Sequence, residues 1–174
     1  MNTPFSNTLL ELFNEAAKFE QRAADVYGEL ARRFPNHSDI AQFWINMQAD
    51  ELIHMQLLHD ISGHVASQQL LSPAPKYVWD KAMSVDQLLD YAEAALIESL
   101  QDAYLLASEI EDSELNAIFL FLVMDCVPFE CHKTLAGSYL GYHRANLRRF
   151  GSLYRPAVRE AIGAHADMLL PPES

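Results

Sequence analysis

Residues 19–58 read FEQRAADVYGELARRFPNHSDIAQFWINMQADELIHMQLL, and this stretch settles the kind of fold the chain can form. Phe13, Ala16, Ala23, Tyr27, Leu30 and Phe34 recur by threes and fours, the apolar stripe of an amphipathic helix. That helix is predicted to start near Thr3-Pro4, a capping residue followed by proline, and to stop at Phe34-Pro35. A second stripe, Ile40, Trp44, Met47, Leu58 and Ile61, predicts a helix from Ser38, with Asp39 in its first turn, to Ser62-Gly63. About four residues join the two, so they must fold back as an antiparallel hairpin.

Outward from this hairpin, a third helix is predicted from Ser84, with Gln87 in capping-box position, to about Ile110. The turn Glu111-Asp112-Ser113 then opens a fourth helix, apolar nearly all round from Leu115 to Phe129 and therefore expected to be the most buried. It ends near Gly137 or Gly141 or runs on to Arg149, and a short helix follows Pro156, closed by Pro171-Pro172. The third and fourth helices thus form a second hairpin, and no segment reads as a strand. Between the hairpins lies a long segment, Gly63 to Met83, containing Pro73 and Pro75. A connection of that length predicts a crossover along a bundle, giving an all-α, ferritin-like four-helix arrangement over residues 1–150 with a helical tail at 151–174.

Composition narrows the function. The chain has 174 residues, half of them hydrophobic, enough for one core in one domain. Its net charge of −12 speaks against a nucleic-acid binder, because such a surface repels phosphate and attracts cations. The local basic run Arg144, Arg148, Arg149, Arg155 and Arg159 is too short to reverse this. Cys126 and Cys131 fall on different faces of a helix, so they are read as small buried hydrophobes and not as a disulfide. The start of the chain lacks the basic and cleavage features of a signal peptide, and the longest apolar run, Ala117 to Met124, is short of a membrane span. A soluble, reduced, cytoplasmic protein is expected.

Polar residues that interrupt an apolar stripe carry the chemistry, since a buried unpaired carboxylate is costly. Glu20 stands in the first stripe, and Glu51 and His54 stand in the second. Glu20 and Glu51 are equally distant from the middle of the Phe34–His37 turn, which puts them at one height with His54 a turn further along. Two carboxylates and an imidazole at one level suit iron or manganese. The second hairpin echoes this: Glu98 and Glu130 lie equally far from Glu114, and His132 follows Glu98 at the interval by which His54 follows Glu20. On a helical wheel, however, Ser99 and Phe129 centre better on their apolar faces, and Pro128 is expected to kink the fourth helix. Each residue has a plainer reading too. Glu98 would face solvent, Glu130 would pair with Lys133, His132 would be a core histidine and Tyr27 a core aromatic. His37, His59, His64, His143 and His165 read as surface or cap residues.

The segments FEQRAADVYGELARRF, FWINMQADELIHMQLL and ALIESLQDAYLLASEI resemble the helices of rubrerythrin-like members of the ferritin-like di-iron carboxylate superfamily, over about residues 6–140. The resemblance implies a metal site of Glu20, Glu51 and His54 from the first hairpin, with Glu98, Glu130 and His132 from the second. Lys133 occupies the place of the family's final histidine, with His132 beside it. Tyr27, the candidate catalytic side chain, falls where the family's tyrosine hydrogen-bonds a ligand carboxylate. The resemblance further implies two irons per chain, with manganese as the other candidate, and O₂ or peroxide as partners in ferroxidase, peroxidase or related redox chemistry. A homodimer is expected, as such bundles associate through helix faces. The alternative is a degenerate bundle that binds one metal or none and serves as a non-enzymatic scaffold.

Overall fold

A computed structural model describes residues 7–113, 115–126, 143 and 145–153. The described chain is mostly helical and contains no strand among these residues beyond one isolated bridge between Thr8 and Pro73. Its elements are α1 (Leu9–Arg33), α2 (Ser38–Ser62), α3 (Ser67–Leu70), α4 (Lys76–Ala94), α5 (Leu100–Glu111) and α6 (Leu115–Asp125), with a further helical stretch over 145–153 that also includes residue 143. No described helix is long and apolar enough to cross a membrane.

The first hairpin follows the sequence closely, with α2 running between the predicted ends. α1 starts later than expected, at Leu9, because Thr8 and Glu11 form a reciprocal capping box that satisfies the first turn. Trp44, Tyr27, Phe13, Leu12, Leu30 and Met47 are fully buried between the two helices and their neighbours.

The second half departs from the sequence reading. α4 begins at Lys76, eight residues before the predicted Ser84 start, since Ser84 is interior and its hydroxyl donates back to the Asp80 carbonyl. The chain then breaks at 95–99, and a new capping box of Ser99 and Asp102 starts α5. The second reversal is therefore at 95–99 and not at Glu111–Ser113. Ser99→Ala removes that cap and is expected to cost about 1 kcal/mol. In thermal denaturation this appears as a fall of roughly 2–4 °C, and an unchanged melting temperature would count against the capping role.

Contacts along α1 also correct the crossover. Asn7 accepts from Ala74 and from the Trp79 indole, Arg22 contacts Asp86, Asp90 and Glu93, and Arg33 donates to the Ile97 carbonyl. These pairs advance together, so α4 runs parallel to α1. The connector from Gly63 to Pro75 turns the chain at one end, and does not travel the length of the bundle. α5 and α6 then lead back down, from Ile97 beside Arg33 to Cys126, whose carbonyl accepts from Gln69. Arg22 pairs with three α4 carboxylates, each at 2.5–2.6 Å, and together they fasten α4 to α1.

α6 is less enclosed than its composition suggests: Leu115, Ile118, Phe119, Leu122 and Val123 are buried, whereas Leu120 and Met124 are exposed. Cys126 is buried, and burial together with Asp125 pushes its thiol up to about 11. That makes it an inert thiol. Gly151 lies against Tyr104 of α5; a β-carbon there would stand 2.7–2.8 Å from the edge of the ring and its hydroxyl. Cys131, Pro128, the region from 127 to 142 and the tail beyond residue 153 fall outside the described residues.

Candidate metal centre

Among the described residues, five polar side chains are buried in the core: Glu20, Glu51, His54, Glu111 and His143. They come from separate parts of the chain and converge. Glu20 of α1 and Glu51 of α2 meet because the short turn between their helices fixes the register, and His54 follows on the same face one turn on. Glu111 is the last residue of α5, on the stripe Ala103, Ala107, Ile110. His143 begins the stripe Leu147 and Phe150 in the final described helix.

Glu51 is central. Its Oε2 accepts from His54 Nδ1 at 2.9 Å, and its Oε1 lies 3.4 Å from His143 Nδ1. Each imidazole has a second carboxylate of its own: His54 Nδ1 is 3.6 Å from Glu20 Oε2, and His143 Nδ1 is 3.5 Å from Glu111 Oε1. The two rings are stacked with centroids 4.8 Å apart, and Phe119 packs against His54 at 4.9 Å. The Tyr27 hydroxyl donates to Glu111 Oε1 at 2.9 Å. The far nitrogen of His143, Nε2, is 3.2 Å from Asp50 Oδ2 without hydrogen-bond angles, and Glu20 Oε2 is buried with no hydrogen-bond partner.

Burial and charge set the protonation of this group. Burial pushes the Glu20 carboxyl up to about 8, against the pull of His54. Burial also opposes the charge on both imidazoles, but Glu20 and Glu51 raise His54 to about 9, and Glu111 and Glu51 raise His143 to about 11. Glu51 is the converse case: burial would raise it, yet the His143 and His54 hydrogen bonds and charges hold it well below the usual carboxylate range. Burial, with Glu111 next, pushes the Tyr27 phenol well above its usual value.

A buried set of Glu51, His54 and His143, with ligand atoms within 4.8 Å of one another, could hold a metal ion. Of the side chains expected to form the site, the structure gathers Glu20, Glu51 and His54, and places Tyr27 at the cluster through Glu111. It does not gather Glu98. That residue is exposed in the 95–99 break, where its backbone N–H donates to Asp102. Glu130 and His132 lie outside the described residues. Two residues were read otherwise from sequence: Glu111 as part of a turn and His143 as a surface histidine. Both are nearly inaccessible, at 3% and 1%. The signal that revealed Glu20, a polar residue in an apolar stripe, was present for each of them.

No protein family, curated protein or solved structure matches the chain.

Proposed function

We propose that this chain is a dinuclear metal carboxylate protein, similar to the rubrerythrin group, that holds two irons and uses O₂ or peroxide. One observation carries the proposal: the two oxygens of Glu51 face different imidazoles, and each imidazole has a second carboxylate beside it. Glu20 with His54 would take one ion and Glu111 with His143 the other, with Glu51 shared between them. The buried Glu20 oxygen, which has no hydrogen-bond partner, supports the fit, since hard oxygens with imidazole nitrogens suit iron and manganese. Such a paired centre, when loaded, supplies redox chemistry toward O₂ or peroxide. The chain's own contribution is to orient Glu111 through Tyr27 and to keep water from His54 with Phe119. Glu111 and His143 thus take the place that sequence resemblance gives to Glu98, Glu130 and His132.

A metal-free scaffold is the competing reading, and it too has a specific observation behind it. His54 and His143, both raised in pKa, already neutralise Glu51, so the core is self-paired without metal. Elemental analysis of protein expressed with iron and manganese separates the two. About two ions per chain are expected, falling to about one in Glu111→Gln and His143→Gln and staying near two in Glu98→Gln. No metal in the wild-type protein would establish the scaffold, and loss in Glu98→Gln alone would return the site to the second hairpin as the sequence predicts it.

A further inference from the structure

α2 carries two apolar faces. The inner one, Ile40, Trp44, Met47, Leu58 and Ile61, is buried in the core. The outer one is not: Ile45, Leu52 and Ile53 are 37–45% exposed, and Ala49 among them is exposed as well. At 100° per residue, Ala49 points within about 10° of directly opposite the mean direction of the buried side chains. The outer faces of α1 and α4 are charged instead, with Lys18, Asp25 and Glu29 exposed on the first and Asp80, Asp86 and Asp90 on the second. A helix that is apolar on both sides is built to be covered on both.

Charge and residue order identify the cover. Between Asp39 and His59 no exposed residue of α2 is charged: beside the four apolar ones stand the amides Gln42, Asn46 and Gln56. Asp50, only partly exposed, turns toward His143. The Gln42 amide donates to Asn46 and the Gln56 amide to Asp60, which lays both side chains along the helix. In a chain of net charge −12, this neutral strip about 30 Å long is where a second, equally acidic molecule approaches with least repulsion. A basic partner would be drawn to the carboxylates of α1 and α4. The strip is also self-complementary in order. Ile45 and Ile53 are equidistant from Ala49, as are Gln42 and Gln56, and then Asp39 and His59. A two-fold contact has this requirement, since residue i meets j and j meets i.

We propose that the outer face of α2 binds the same face of a second copy of this chain, antiparallel, with Ala49 at the two-fold axis. Ile45 of each copy then packs on Ile53 of the other, the glutamines meet beyond them, and Asp39 stands opposite His59 at each end. The small Ala49 lets the two helix axes approach to about 8 Å, the close end of helix packing. The pairing does not depend on the metal reading, because its residues are exposed and those of the centre are buried.

Sedimentation velocity on the full chain, from about 1 to about 200 µM, tests it. A single-helix strip is small for a specific interface, so a Kd on the order of 10 µM is expected, with the mass rising from one chain of 19.7 kDa to two. Ala49→Arg sets two guanidinium groups against each other at the axis and is expected to weaken association about a hundredfold or more. Ile45→Lys and Ile53→Glu are each expected to be monomeric alone, with helix content unchanged by circular dichroism. Mixed one to one they are expected to pair again, because the introduced ammonium meets the introduced carboxylate while the remaining Ile45 and Ile53 keep their contact. A wild-type chain that stays monomeric leaves the face to a partner of different composition and overturns the proposal. So does a mass beyond two chains, an Ala49→Arg protein that still dimerises, or a mixture that stays monomeric.

Discussion

Glu51→Ala is expected to leave the protein with essentially no bound metal, whereas removal of any other cluster carboxylate leaves part of the complement. The difference comes from position. Glu20 and Glu111 each stand beside one imidazole, while Glu51 stands between both, with His54 on one oxygen and His143 on the other. Removing it strips both candidate ion positions at once. It also leaves two buried cationic rings with one balancing group fewer, and unpairing a buried charge is costly, on the order of 3–5 kcal/mol. Glu51→Gln keeps the shape and, through its single amide oxygen, one of the two imidazole contacts, while losing the charge. It should therefore stay folded by circular dichroism yet lose metal to the same extent. Stoichiometric metal in a folded Glu51→Gln protein would refute the shared position of this residue.

Metal uptake is expected to depend steeply on pH, rising as protons leave the site. At neutral pH the metal-free cluster holds three protons that ligation must displace: on Glu20, near 8; on His54, near 9; and on His143, near 11. Glu51, held low, contributes none. The free protein thus binds more protons than the loaded one, so affinity increases with pH. The limit is about a thousandfold per pH unit below pH 8, one factor of ten for each proton released. Titration calorimetry in buffers of differing ionisation heat counts those protons, and a release near zero would exclude these three groups as ligands.

The same shifts give the metal-free protein an opposite trend in stability. His54 contributes stability fully present below its unfolded value of 6.5 and lost as pH rises through about 9. Glu20 also holds its proton more tightly folded than unfolded, so its contribution declines from 4.5 upward and is gone above about 8. The melting temperature of chelator-treated protein should accordingly fall between pH 6.5 and 9, while that of loaded protein changes less over the same range.

How much of this was legible in the amino-acid sequence depended on the turns. A short connection between α1 and α2 leaves one register, so the spacing of Glu20, Glu51 and His54 translated directly into proximity. Past Ser62 the pattern misleads for physical reasons. Ser84 and Gln87 resemble a cap, but a serine inside a helix satisfies itself on the preceding turn, as Ser84 does on Asp80. Ala92 to Ile97 is rich in helix formers, so nothing local announces the break. It is fixed by the Ser99–Asp102 cap and by Arg33 holding the Ile97 carbonyl. Once the reversal moves to 95–99, Glu98 becomes a turn residue and Glu111 enters the core. His143 is remote in sequence from every other member of the cluster, and only the packing of its helix on α2 through Phe150 and Phe43 brings it in.

The contact of Tyr104 with Gly151 bears on how finely the cluster can be tuned. Tyr104 lies two helical turns from Glu111, and Gly151 lies about two turns from His143. The ring edge against the bare backbone therefore acts as a calliper for this pair, closed at one end and measuring at the other. A single methyl at residue 151 would prop its jaws apart. The gap between carboxylate and imidazole is thus gauged some 11 Å away, at a position that evolution or an engineer could adjust without touching a ligand.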